Sequence, residues 1–238
     1  MENRVRIHAA LTLCAALALA ACGQDNSPSE EVEKAVEQVV GSPAPAAEEE
    51  LGRYAPRDGC VDLPGADNFR QRLALAVEAR DAEGVAALAA PDVKLDFGDG
   101  SGRAELIRRL DAQNSSLWRE LDELMQLGCA ANSQGGATMP WYFAQNIPVD
   151  PYMGMIVTDS EVPLRESPDA VAVPVADLDW DAVELLDSFD PAAPYQRVKF
   201  GDETGYVETR FLRSAIDYRI TASSRNGKWR ITSFVAGD

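Results

Sequence analysis

The chain has 238 residues, 46% hydrophobic and 26% charged, which is ordinary for a globular protein and enough for one large domain or two small ones. Its formal net charge is -17, from 22 lysines and arginines against 39 aspartates and glutamates, and this sets an unfavourable field against nucleic acid backbones and anionic lipid surfaces. A single histidine, His8, is the whole supply of the commonest general base and metal ligand.

The first segment reads as a targeting sequence: Arg4 and Arg6 precede an apolar run from Ala9 to Ala21 that is too short to span a bilayer. Leu19-Ala20-Ala21-Cys22-Gly23 follows. This resembles the lipobox of bacterial lipoproteins, which implies cleavage before Cys22, removal of residues 1–21 and acylation of the Cys22 thiol. Gly23 after the cysteine implies the outer membrane, with the chain facing the periplasm and membrane lipid as its first partner through acylated Cys22. Cleavage there removes His8 and Cys14, so no histidine-dependent triad or histidine metal site is expected, and no metal or other cofactor. With Cys22 acylated, Cys60 and Cys129 remain as an even pair in an oxidising compartment, which predicts a disulfide, the alternative being two free buried thiols.

Residues 22–56 form an acidic tether. From Gly23 to about Leu51, Asp25, Glu30, Glu31, Glu33, Glu37, Glu48, Glu49 and Glu50 face Lys34 alone, with little apolar material to bury. Ser27, Pro28 and Glu30 make a capping signature for a short helix carrying Val32, Val36, Val39 and Val40. As a coil, 29 residues average about 30 Å end to end, enough to hold a folded head off a lipid surface.

The head begins near Arg57. Phe69, Leu73, Val77, Val85 and Leu88 predict two short helices between Asp67 and Ala90, separated around Asp81 and stopped by Pro91. Val93 to Phe97 alternates as a strand, and Gly98-Asp99-Gly100-Ser101-Gly102 turns into a helix carrying Leu106, Ile107 and Leu110. That glycine run lacks the lysine of a phosphate loop and is flanked by Asp96 and Asp99, so it reads as a turn. A further helix from Ser115 to Leu127 points Leu117, Leu121, Leu124 and Met125 inward, and Thr138 to Gln145 reads as an aromatic-rich strand.

From Met155 the period shortens to apolar runs separated by turn residues, among them Val162 to Leu164, Val171 to Val173, Val183 to Leu186, Val198 to Phe200 and Gly205 to Val207. Val162-Pro163-Leu164-Arg165-Glu166-Ser167-Pro168, Val183 to Leu186, Tyr195 to Phe200 and Gly205-Tyr206-Val207-Glu208-Thr209-Arg210-Phe211-Leu212 resemble, in order, the successive motifs of bacterial Src-homology-3 domains. The resemblance implies a small antiparallel β-barrel over residues 151–214. It departs from the family at Tyr195 and Tyr206, where tryptophan is usual, at Trp180, and in an acidic insertion from Asp187 to Pro194. Asp177, Asp179 and Asp181 open like a calcium loop but lack its later glycine and glutamate.

The last stretch pairs Tyr218 to Ala222 with Trp229 to Val235 around Arg225-Asn226-Gly227-Lys228, a hairpin by its turn chemistry. Together with Pro91 to Leu95 and the helix after Gly102, it resembles the cone-shaped fold of the nuclear transport factor superfamily. The implied fold class is α+β, with N-terminal helices and a curved antiparallel sheet over residues 57–150 and 215–238 and the barrel inserted between them.

Two functions follow as expectations. In the first, the chain is a non-enzymatic envelope lipoprotein whose barrel binds a peptide, peptidoglycan or an envelope protein through Trp180, Tyr195, Tyr206 and Arg165. In the second, the cone holds a small-molecule or hydrolase pocket, with Asp96 as general base and Tyr142 orienting substrate.

Overall fold

The computed structural model describes residues 52–237. The expected signal segment, Cys22 and nearly all of the expected tether lie outside the described residues. Helix α1 (Ala66–Glu78) buries the predicted apolar face, with Phe69, Leu73 and Val77 at most 3% exposed. Helix α2 (Ala82–Ala87) starts where Asp81 caps it, the Asp81 carboxylate accepting from the Gly84 N–H. Strands β1 (Asp58–Gly59) and β2 (Ala89–Lys94) flank these helices, and α3 (Arg103–Leu110) and α4 (Leu117–Gln126) follow. Strand β2 begins before Pro91 instead of after it: the helix ends at Leu88, and the proline sits within a strand at the edge of its sheet, where a missing N–H costs no ladder bond.

Strands β3 (Cys129–Ala131) and β4 (Ala137–Met139) come next, and the expected strand through Trp141 and Phe143 is absent. Pro140 supplies no N–H, and Trp141 to Ala144 turn into a single 3₁₀ segment. The hairpin of β12 (Arg219–Arg225) and β13 (Lys228–Val235) closes on Asn226 and Gly227, with φ of 54° and 71°, the left-handed pair that a two-residue turn requires. The first sheet runs β1, β3, β4, β12, β13, β2. It is mixed, not wholly antiparallel: β1 runs parallel to β3 and β2 parallel to β13, because helices and long connections separate the partners in sequence. The Cys60–Cys129 disulfide is present beside the β1 and β3 pair, with both cysteines fully buried.

Between β4 and β12 the chain lays down a second sheet of β5 (Gly154–Val157), β6 (Val162–Arg165), β7 (Pro174–Leu178), β8 (Ala182–Leu185), β9 (Tyr195–Phe200), β10 (Glu203–Glu208) and β11 (Leu212–Ser214). Its order is β11, β5, β8, β9, β10, β6, β7, all antiparallel. The expected closed barrel is not formed, since the edge strands β11 and β7 are not paired with each other. Strand β11 is only three residues long and is tied to β5, and its Arg213 side chain points to the first-sheet half of the molecule. Strand β7 also starts at Pro174, after the valine-rich run expected to form it, and Val171 and Val173 are exposed.

Both sheets belong to one compact unit, Glu49–Asp238. Each has its own apolar core, and a third cluster of Tyr54, Leu127, Tyr142 and Ile156 lies between them, with Trp180 packed against it. The result is a mixed α+β molecule with four helices and two large sheets among the described residues.

Candidate functional site

Side chains alternate across the second sheet, so its buried residues fix which ones face outward. Leu164, Leu185, Val198 and Val207 are at most 5% exposed and form the inner face. Arg165, Tyr206 and Arg197 therefore share the outer face, and the register aligns them: Tyr206 pairs with Arg165 on β6 and with Arg197 on β9. Leu186 donates its N–H to the Arg197 carbonyl and extends the row, as does Pro174 opposite Arg165. With strands about 4.8 Å apart, the two arginine positions lie roughly 10 Å from each other across the tyrosine. Tyr195 sits on the same face, opposite Glu208, and Lys199 lies between Glu184 and Thr204.

Among the described residues, Arg165, Arg197 and Lys199 make no ion pair, although the chain as a whole is strongly acidic. Arg165 donates to the Ala172 carbonyl at 2.8 Å, and its Nε is enclosed without a hydrogen-bond partner. The arrangement is a partly exposed strip of guanidinium and phenol groups, able to stack on a ring or apolar group and to donate to carboxylates or carbonyls. Three of the four expected contact residues are thus brought onto one face. Arg197 joins them; its alternation with buried Gln196 and Val198 was a signal already present in the sequence.

Trp180 stands apart from this strip. It occupies the turn after β7 with φ of 49°, half-buried against the cluster between the sheets, and lines a cleft with Arg213 at its floor. Arg213, 6% exposed, reaches from β11 to five partners: Nε donates to the Tyr142 hydroxyl at 3.2 Å and one terminal nitrogen to the Tyr218 carbonyl at 3.0 Å. The other terminal nitrogen meets Glu120, Glu123 and Asp217. Burial opposes the charge on Arg213, but Tyr142, Asp217, Glu123 and Glu120 outweigh it and hold the guanidinium above its ordinary pKa. Burial pushes the Tyr142 hydroxyl up to about 12, so it remains a neutral phenol.

Sequence periodicity missed this hub. The signal was Glu120 itself, a carboxylate three residues after Leu117 in a stripe continued by Leu121 and Leu124, where an apolar residue belongs.

Asp96, expected as a general base, and Tyr142, expected to orient substrate, are each engaged by an arginine, Arg109 and Arg213 respectively. Asp96 is held by Arg109 at 2.5 Å and by the Gly98 and Gly100 N–H groups, which keep its carboxyl below the usual range. It fastens the Gly98 to Gly102 turn. The interior between helices and first sheet is filled by side chains such as Leu73, Leu106, Leu124 and Ile231, each at most 1% exposed. Asp177 lies in β7, and the Asp181 carboxylate accepts from the Asp179 N–H; no group of three or more metal-ligating side chains occurs among the described residues.

No family model and no curated protein matches the chain. Two solved structures resemble it, and both are NTF2-like. One is a variant of Rd1NTF2_05, 13% identical, with a TM-score of 0.28 over 72% of this chain and 96% of that one. The other is an NTF2-like protein with a cystatin-like fold from Novosphingobium aromaticivorans, 14% identical, with a TM-score of 0.26 over 71% of this chain and 75% of that one. Neither carries any argument about what this chain binds.

Proposed function

We propose that the chain is a non-enzymatic envelope protein, held at the outer membrane by an acylated Cys22 and facing the periplasm, whose second sheet binds a peptide or cell-wall ligand. In this reading residues 151–214 are an opened relative of the bacterial Src-homology-3 module, set into a cone of the nuclear transport factor kind. The observation that carries it is the cross-strand row of Arg165, Tyr206 and Arg197, with Tyr195 beside it. Cross-strand neighbours on a sheet face act together, and tyrosine and arginine are among the side chains that most often anchor a protein or peptide partner. The acidic segment after Cys22 serves as a spacer that keeps this face clear of the lipid.

Retention of the protein on purified, insoluble peptidoglycan tests the reading. The intact chain is expected to sediment with it, and the Tyr206→Ala/Arg165→Ala double variant to lose most of that retention, about tenfold or more if each contact contributes as an interface anchor does. Equal retention of the two proteins, or none of either, counts against the proposal.

A further inference from the structure

Where α4 meets the second sheet, a cleft of about 790 Å³ opens, within the size range of small-ligand sites. Its apolar wall includes Trp180, Phe189, Pro191 and Leu212. This wall is fixed in advance. Trp180 is clamped on both sides of its backbone, its carbonyl accepting from Tyr54 N–H at 2.9 Å and its N–H donating to the Asp159 carbonyl at 3.2 Å. Phe189 and Pro191 come from the acidic insertion, which buried Gln196 ties down through both the N–H and the carbonyl of Asp190. Thr209 adds a bond to the Ala193 carbonyl. Phe189 nevertheless keeps 43% of its surface exposed at the mouth.

The floor opposite this wall carries unbalanced charge. Glu120, Glu123 and Asp217 surround Arg213, and Arg119 supplies the second guanidinium, bonded to Glu120 at 3.0 Å. Arg210, also on the lining, is paired with Glu208 at 2.7 Å and stacked on Phe211. Three carboxylates thus face two guanidinium groups. Glu120 and Glu123 each meet both arginines and Asp217 meets Arg213, but Glu120 is buried whereas Glu123 and Asp217 keep side-chain exposures of 42% and 30%. A ligand carboxylate here would add to the repulsion, and a cation would complete the set. An aliphatic stem ending in a cation suits a site with an apolar wall and a carboxylate floor.

We propose that this cleft is a second binding site, separate from the outer sheet face, and that it takes a short peptide presenting a lysine-type ammonium: the alkyl stem lies against Trp180 and Leu212, and the ammonium sits at Glu123 and Asp217. Burial pushes the Glu123 carboxyl above its usual range, with Arg213 and Arg119 opposing the effect and Glu120 and Asp217 adding to it.

The test measures binding of fluorescein-labelled acetyl-Ala-Lys-Leu-Ala amide to the intact chain, beside the same peptide with norleucine or acetyl-lysine in place of lysine. The lysine peptide is expected to bind at least tenfold tighter than either neutral one, the size expected of a charge-assisted contact. Glu123→Gln should narrow that gap to about twofold, and Tyr206→Ala should leave it intact. Equal affinity for the three peptides, or binding by none, overturns the proposal. So does loss of lysine binding in Tyr206→Ala, which would move the peptide to the sheet face. The comparison of neutral and charged peptides on the unaltered chain stands even if Glu123→Gln fails to fold.

Discussion

Replacing Arg213 by methionine is expected to cost about 3–5 kcal/mol of folding stability. Arg213 comes from the second sheet, while Glu120 and Glu123 come from α4, Tyr142 from the segment after β4, and Tyr218 from just before β12. One side chain therefore rivets the inserted sheet to the helices and strands on either side of the insertion. Methionine fills much of the same volume but leaves Glu120, 6% exposed, with only the exposed Arg119 as partner, and strips the Tyr142 hydroxyl and Tyr218 carbonyl of their donor. In thermal unfolding, the loss amounts to a drop of roughly 10 °C for a domain of this size. Adding Glu120→Leu to Arg213→Met should recover a substantial part of it, because an apolar pair of similar volume removes the orphaned charge. A single variant within about 1 kcal/mol of the parent would show that the two sheets are held by the Tyr54, Leu127, Tyr142 and Ile156 cluster alone.

Removing the disulfide with Cys60→Ala/Cys129→Ala is expected to cost about 4 kcal/mol, since the bridge closes a loop of 69 residues in the unfolded chain. The loop contains all four helices of the described residues and β2, and ends where β3 begins, so its closure constrains most of the first core. Locally the bridge also holds β1, a two-residue strand whose only sheet partner among the described residues is β3. With the bridge formed, alkylation of the chain unfolded in denaturant without reductant should label neither cysteine. Mass spectrometry showing both labelled, or a double variant as stable as the parent in a urea titration, contradicts the assignment.

Local chemistry was readable from the residues wherever neighbours in sequence decide the structure. Asn226-Gly227 announced its hairpin because both positions need left-handed backbone, and Phe69, Leu73 and Val77 announced α1 because their spacing leaves one face to bury. The even pair Cys60 and Cys129 announced the bridge. Failures came where distant partners decide. Trp141, Tyr142 and Phe143 have strand propensity, but Pro140 denies the ladder a donor and Tyr142 is needed under Arg213. The second sheet stays open because β11 is engaged by β5 and by the first-sheet half, which no motif in residues 151–214 records.

The candidate site divides the same way. Tyr206 and Arg165 could be chosen one at a time by residue type, but their pairing, and the addition of Arg197 on the far side, depends on strand order. Trp180 was chosen with them and belongs to another surface, because its turn packs toward α4 and not onto the outer face. The acidic insertion, which interrupts the resemblance, is what builds the wall beside Trp180.

The central claim, that the outer face of the second sheet is the ligand surface, is tested most directly by amide and side-chain chemical-shift mapping of the intact chain with soluble peptidoglycan fragments. The account predicts shifts centred on Arg165, Tyr195, Arg197 and Tyr206, and their loss in Tyr206→Ala/Arg165→Ala. Shifts confined to the helices and first sheet, or none at millimolar fragment, would contradict it.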